Sequence, residues 1–136
     1  MILFLDANII IYRVEAVAPF NQQLLVAVND LVQKFPDARF AVSRLSVMEC
    51  LVKPLRDQNT TYVDCYRGFF TSSGLQIIAI RALIIETATL LRARHGLRTP
   101  DAIQAASALS IKGPVTFITG DKQFGKVPGL NVQLVL

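Results

Sequence analysis

The chain opens with Met1-Ile2-Leu3-Phe4-Leu5-Asp6-Ala7-Asn8. Four apolar residues in a row, Ile2–Leu5, predict a strand that is buried on both faces of a sheet. The aspartate that ends this run must be solvated, paired or bound to a cation, because an isolated buried charge is costly. Capping of the helix-like stretch that follows is the other role open to Asp6.

Short apolar runs alternate with longer stretches of helical periodicity along the chain. We predict strands at 2–5, 39–42, 75–79, 115–118 and 131–135. We predict helices at 7–13, 20–35, 44–52, 57–71, 81–95 and 99–110, with Thr99 as an N-cap and Gly96 as a C-cap. This alternation predicts an α/β fold with a central, mostly parallel five-stranded sheet and helices on both faces.

The composition limits the possible classes of protein. The chain has 136 residues, which predicts a single domain, 1–136, with one real core. No apolar run approaches the roughly 20 residues of a membrane span, and nothing resembles a signal peptide, so we expect a cytoplasmic protein without a membrane partner. The net charge of +4 favours a polyanionic partner such as nucleic acid.

Four of the ten acidic residues lie where a strand or loop leads into a helix: Asp6, Glu49, Asp101 and Asp121. Ligands of open α/β sheets bind outside the carboxyl ends of the strands, so we expect these carboxylates to lie close together. Such a cluster is costly unless a divalent cation neutralises it, and hard oxygen ligands suit Mg²⁺ or Mn²⁺. Each residue alone also has a structural interpretation, as a cap, a turn residue or a boundary charge.

Other chemistries have little support in the residues. His95 is the only histidine and is expected near a helix end, which disfavours a Ser-His-Asp system. The glycine-rich loops of nucleotide-binding folds are missing, and Cys50 and Cys65 have neither metal-type nor redox-type spacing. On its helix, Glu49 is expected to lie beside an apolar stripe that includes Met48 and Val52, with Ser46 one turn before it.

Four motifs in this order resemble the PIN-domain family, and in particular the VapC-type toxin ribonucleases. They are strand-Asp6-Ala7-Asn8-Ile9, Ser46-Val47-Met48-Glu49, Pro100-Asp101-Ala102 and Thr119-Gly120-Asp121. Gly120 stands where this family often has asparagine. The resemblance implies a three-layer α/β/α sandwich and an Mg²⁺- or Mn²⁺-dependent endoribonuclease that leaves 5′-phosphate and 3′-hydroxyl ends. It also implies a homodimer and a cognate antitoxin, for which we expect a helix lying in an apolar groove.

On this resemblance we predict that Asp6 and Asp101 bind the metal directly and that Glu49 and Asp121 act through water. Side chains beside these carboxylates are predicted to orient them or the scissile phosphate: Asn8, Ser46 and Thr119. Basic residues near the motifs are predicted to bind RNA: Arg13, Arg44, Lys53, Arg56, Arg98 and Lys122.

Three alternatives remain open at this point. A HAD-type phosphatase also begins with a strand and an aspartate, but it needs a second aspartate where this chain has Asn8. A non-catalytic PIN scaffold acting as a binding module would normally have lost one of the acids. A nuclease of the same fold that acts on DNA is equally compatible with the residues.

Overall fold

The computed structural model describes residues 1–135; Leu136, which the single-domain prediction includes, lies outside them. These residues form five strands, six α-helices and a short 3₁₀ helix at Lys122–Lys126. The strands are β1 (Ile2–Leu5), β2 (Arg39–Ser43), β3 (Leu75–Ile78), β4 (Val115–Thr119) and β5 (Val132–Leu134). The helices are α1 (Ala7–Val14), α2 (Phe20–Lys34), α3 (Arg44–Arg56), α4 (Thr60–Phe70), α5 (Ala82–His95) and α6 (Thr99–Leu109).

The strands form one sheet in the order β3-β2-β1-β4-β5, and all four neighbouring pairs are parallel. The predicted five-stranded sheet is therefore confirmed. β1 lies at its centre, with Phe4 opposite Ala41 of β2 and Phe117 of β4. Asp6 follows β1 directly, so it lies at the carboxyl edge of the central strand.

Alternating side chains of β1 enter two apolar cores, one on each face of the sheet. Phe4 packs with Phe117 and the buried side chains of α5 and α6. Leu3 and Leu5 point the other way and pack with α1, Leu24 of α2 and Tyr66 of α4. Burial on both faces explains the unbroken apolar run at Ile2–Leu5, and it gives the predicted α/β/α layering.

The predicted end of α3 at Val52 is wrong, because the helix continues through Pro54 to Arg56. A proline removes one helical hydrogen bond, and here the buried Pro54 lies in the last turn, two residues before the helix ends. The next helix accordingly begins at Thr60 and not at Asp57, and the Asn59 side chain accepts a hydrogen bond from the Tyr62 backbone N–H at 3.1 Å.

Two further expectations about helices are wrong. The N-cap of α6 is Arg98, because Ala102 N–H already bonds to the Arg98 carbonyl at 2.9 Å; Thr99 is the first helical residue. Met48 and Val52 are 57% and 54% exposed and do not face the core. The inward face of α3 instead carries buried Leu45, Ser46, Cys50 and Pro54.

Within the described part of the chain, none of the helices has both the length and the apolar character needed to cross a membrane.

The predicted C-cap at Gly96 is confirmed, with φ at 68° in the left-handed region. We expect Gly96→Ala to lower the free energy of unfolding by about 1 kcal/mol, because a side chain is strained there. Gly68→Ala is the matched control, since Gly68 lies inside α4 and a Cβ there meets open space. That change is expected to raise the free energy of unfolding by roughly 0.5–1 kcal/mol in urea denaturation. Equal effects of the two substitutions would contradict this account.

Candidate active site at the carboxyl edge of the sheet

Asp6 is almost completely buried, at 6% exposed, between β1 and α1. Its Oδ1 accepts a hydrogen bond from the Ala7 backbone N–H at 2.8 Å, so Asp6 caps α1. Its Oδ2 accepts one from the Thr119 hydroxyl at 2.8 Å, from the end of the neighbouring strand β4. Both carboxylate oxygens are therefore held by elements that the parallel sheet brings to the same edge.

Burial raises the pKa of Asp6 from its ordinary value of 3.8 to about 6. The hydrogen bonds from Thr119 and Ala7 lower this pKa, and the negative charges of Asp101 and Glu49 raise it further. Asp101 and Glu49 are thus close enough to Asp6 to raise its pKa. The burial of Asp6 makes added negative charge costly and a nearby cation favourable.

Asp121 reaches this group only through Thr119. The Asp121 backbone N–H donates to the Thr119 hydroxyl oxygen at 3.0 Å, while its Oδ1 accepts from the Gln123 N–H at 2.9 Å and caps the 3₁₀ helix. Beside it, a Cβ on Gly120 would lie 3.4 Å from the Val135 carbonyl and 3.5 Å from the Tyr12 ring. The fourth motif therefore packs closely, and its acid has a structural role as a cap.

Asp101 lies in the first turn of α6, with 18% of its side chain exposed. Its Oδ2 accepts a hydrogen bond from Arg98 Nε at 3.3 Å, and the Arg98 side chain is 80% exposed. Exposed ion pairs of this kind contribute about 0–1 kcal/mol, so a cation can compete for Asp101 at little cost.

Glu49 lies half-buried on α3 and is held by a residue that the sequence did not single out, Gln104 of α6. Gln104 Nε2 donates to Glu49 Oε1 at 3.0 Å and to the Ser46 hydroxyl oxygen at 2.8 Å. Ser46 and Gln104 are 0% and 1% exposed. The available signal was Gln104 itself, a polar residue within the apolar stretch Ala102–Ala106, three positions after Asp101.

A family model for the PIN domain matches residues 3–130. The chain belongs to the PIN domain family.

Three solved structures have the same fold as this PIN domain. They are VapBC2 from Rickettsia felis bound to a promoter DNA fragment (20% identity, TM-score 0.72), a toxin–antitoxin complex from Klebsiella pneumoniae (26%, 0.68) and VapBC-1 from nontypeable Haemophilus influenzae (22%, 0.71). Each match covers 98% of this chain and 98% of the other. A comparison with curated proteins finds no match.

The acids of this PIN domain do not form a closed metal cage. Within residues 1–135, no three His, Cys, Asp or Glu side chains are arranged to hold a metal ion together. Mg²⁺ is usually bound through one or two carboxylates and keeps several waters, so a full cage is not required. The carboxylates at this edge offer oxygen donors, and the pKa of Asp6 is raised first by burial and further by the charges of Asp101 and Glu49. These properties fit Mg²⁺ or Mn²⁺.

The other predicted site residues are exposed and spread over the surface. Asn8 is exposed in the first turn of α1. Lys53 and Arg56 follow Glu49 by four and seven positions, so they share its side of α3, and Arg56 contacts Asp57 at 3.3 Å. Arg13 lines an apolar groove on the α1 side of the sheet. The remaining exposed basic residues are Arg44 at the start of α3, Arg98 before α6 and Lys122 in the 3₁₀ helix.

Cys50 lies beside the site but is unsuited to nucleophilic chemistry. It is 2% exposed, and burial, followed by the charge of Glu49, raises the pKa of its thiol to about 12. The nucleophile in cysteine chemistry is the thiolate, which hardly forms at such a pKa.

Asp6→Asn is expected to stabilise the metal-free protein at pH 7 and not at pH 4. Because the folded pKa of Asp6 lies above its ordinary value, its stabilising contribution is full below pH 3.8 and is lost as the pH rises through about 6. The shift corresponds to about 3 kcal/mol at pH 7. Urea denaturation in EDTA at both pH values measures it.

The exposed Asp64→Asn variant on α4 is the control for this prediction and is expected to show no such pH-dependent gain. A gain for Asp6→Asn that is the same at pH 4 and pH 7 would contradict the assignment.

Proposed function

We propose that this PIN domain is an Mg²⁺- or Mn²⁺-dependent endoribonuclease and the toxin of a toxin–antitoxin pair. The observation that carries the proposal is the buried Asp6, whose pKa is raised by burial and by the nearby charges of Asp101 and Glu49. The proposal is supported by the net charge of +4, which suits a polyanionic substrate around an acidic pocket. It is supported as well by the match to a toxin–antitoxin complex at 26% identity.

Asp6 and Asp101 are the proposed direct ligands of the ion, and Glu49 and Asp121 are proposed to act through water. The bound ion would supply a more acidic water and offset the charge that develops on the phosphodiester. Thr119 holds Oδ2 of Asp6, which fixes the carboxylate against rotation. A cation at Asp101 would compete with its ion pair to Arg98, and the exposed Arg98 guanidinium would then suit a phosphate oxygen.

The RNA is proposed to follow exposed basic side chains that lie close to the acids. Lys53 and Arg56 extend along the Glu49 side of α3, while Arg98 and Lys122 lie beside Asp101 and Asp121 in sequence. Phosphate contacts of this kind position a nucleic acid without reading its sequence. Arg44 and Arg13 are also included in the proposed RNA-binding set, although Arg13 lines the apolar groove.

The antitoxin is proposed to insert an apolar segment into the apolar groove. This groove has a volume of about 420 Å³ and is lined mainly by apolar side chains of α1, α2 and β2, including Ile9, Leu24, Leu25 and Phe40. Arg13 and Arg39 also line it and are exposed, which suits a segment that carries carboxylates as well as apolar anchors.

A homodimer is also proposed. Leu83, Ile85 and Leu90 of α5 are 63%, 45% and 48% exposed, and Leu83 and Leu90 lie seven positions apart on one face of the helix. A second copy of the chain that covered them would remove this apolar surface from water.

Asp6→Asn and Asp101→Asn are each expected to abolish Mg²⁺-dependent cleavage of RNA while the fold is kept, because each removes a charged ligand. Purified variants are incubated with labelled RNA, labelled DNA and p-nitrophenyl phosphate, in Mg²⁺ or in EDTA. Asp64→Asn, which changes an exposed acid of α4, is the control and should cleave like the parent. Undiminished cleavage by either site variant would contradict the assignment of Asp6 and Asp101 as metal ligands. Turnover of DNA alone, or of p-nitrophenyl phosphate alone, would favour a DNA nuclease or a phosphatase instead.

Leu25→Glu is expected to abolish co-purification of an antitoxin encoded beside the gene, because it places an unpaired charge in the apolar groove. Val26→Glu is the matched control, since Val26 is a neighbouring exposed residue of α2 outside the groove lining. Recovery of the partner with both variants, or with neither, would show that the segment binds elsewhere.

A further inference from the structure

Two rows of polar side chains face each other across α3 and α6. Each row repeats every three residues: Ser43, Ser46 and Glu49 on one side, and Asp101, Gln104 and Ser107 on the other. The rows run in opposite directions, because Ser107 meets Ser43 while Gln104 meets Ser46 and Glu49. We call this set the α3–α6 polar ladder, and its acidic end is the candidate active site.

Gln104 is the one amide in the ladder, and it is buried together with its neighbours Ala102, Ala105 and Ala106. A buried amide is costly unless it is hydrogen-bonded. The two protons on Nε2 are divided between Ser46 and Glu49, at 2.8 Å and 3.0 Å. The opposite orientation would set the amide oxygen against a carboxylate oxygen, and two acceptors repel.

The amide oxygen of Gln104 does not contribute to the orientation of the side chain, whereas the amide nitrogen does. Gln104 Oε1 is buried and, among residues 1–135, has no hydrogen-bond partner. An unpaired buried acceptor is unfavourable. The amide is therefore held through its two donors, and one of these contacts is to the Glu49 carboxylate.

We propose that Gln104 is a positioning residue, which holds the Glu49 carboxylate for the cation of the candidate active site. The inference rests on the proposed function. Gln104 engages Oε1 and so leaves Oε2 of Glu49 available for a cation or its water. Asp101 lies one turn before Gln104 on the same face of α6. A single helix therefore carries one proposed direct ligand, Asp101, and orients the Glu49 carboxylate, which is proposed to act through water.

Ser107 provides a matched control within the same ladder. It is 0% exposed, and its hydroxyl lies 3.1 Å from that of Ser43, so it also ties α6 to the start of α3. Its hydroxyl also donates to the Ile103 carbonyl at 2.7 Å, and in the described residues 1–135 it forms no hydrogen bond to Glu49 or Asp101. Loss of Ser107 weakens the packing of the two helices but leaves the Gln104–Glu49 hydrogen bond in place.

The test measures binding of Mn²⁺ to the full chain by electron paramagnetic resonance, together with Tm. Gln104→Met, of similar length but without a donor, is expected to weaken Mn²⁺ binding by about 10–100-fold, as loss of partners that orient metal ligands typically does. Ser107→Ala is expected to leave Mn²⁺ affinity unchanged. Both variants are expected to lower Tm by a few degrees, because each loses a buried hydrogen bond.

Gln104→Asn is a second variant. It keeps the amide group but shortens the side chain by one methylene, which moves the amide away from Glu49. It is expected to weaken Mn²⁺ binding in the same direction, whether or not Gln104→Met folds. In a Glu49→Gln background, Gln104→Met is expected to have no further effect on Mn²⁺ affinity, because the two residues act as one unit.

Parental Mn²⁺ affinity in a Gln104 variant with a lowered Tm would overturn the proposal and leave the proposed function standing. An equal loss of affinity in Ser107→Ala would also overturn it, since the effect would then come from helix packing. A parent chain that neither binds Mn²⁺ nor cleaves RNA would overturn the proposed function and this inference together.

Discussion

Asp6 is buried where the central strand ends, and the two hydrogen bonds that it accepts join three elements of the structure. One oxygen caps α1 through the Ala7 N–H, and the other receives the Thr119 hydroxyl from β4. This arrangement orients the first helix relative to the sheet and brings Thr119, and with it Asp121, to the same edge. The position of the carboxylate therefore depends on the parallel pairing of β1 and β4.

The same burial makes the charged form of Asp6 unfavourable. The pKa of Asp6 is raised to about 6 because little solvent surrounds it and two further acids lie nearby. Each of those acids has its own partner, Arg98 for Asp101 and Gln104 for Glu49. The two neighbouring acids are thus paired differently, Asp101 through one exposed ion pair and Glu49 through one neutral amide.

Local patterns predicted most of the fold, and their failures have local physical causes. The apolar runs placed all five strands to within a residue or so, and Gly96 marked the end of α5. The predicted end of α3 at Val52 is wrong because Pro54, buried near the end of the helix, does not interrupt it before Arg56. Met48 was expected to face the core, yet the inward face of α3 belongs to Ser46 and Cys50. Periodicity alone does not say which of two adjacent faces is buried.

The sequence by itself determined the alternation of strands and helices, the family resemblance and the positions of the four acids, because these depend on residues near one another in the chain. Only the tertiary structure decided how the acids are held. Gln104 reaches Ser46 and Glu49 across 58 and 55 positions of sequence, and Thr119 reaches Asp6 across 113. Such contacts depend on how closely α6 packs on α3 and on which strand pairs with β1, and no local pattern of residues specifies either.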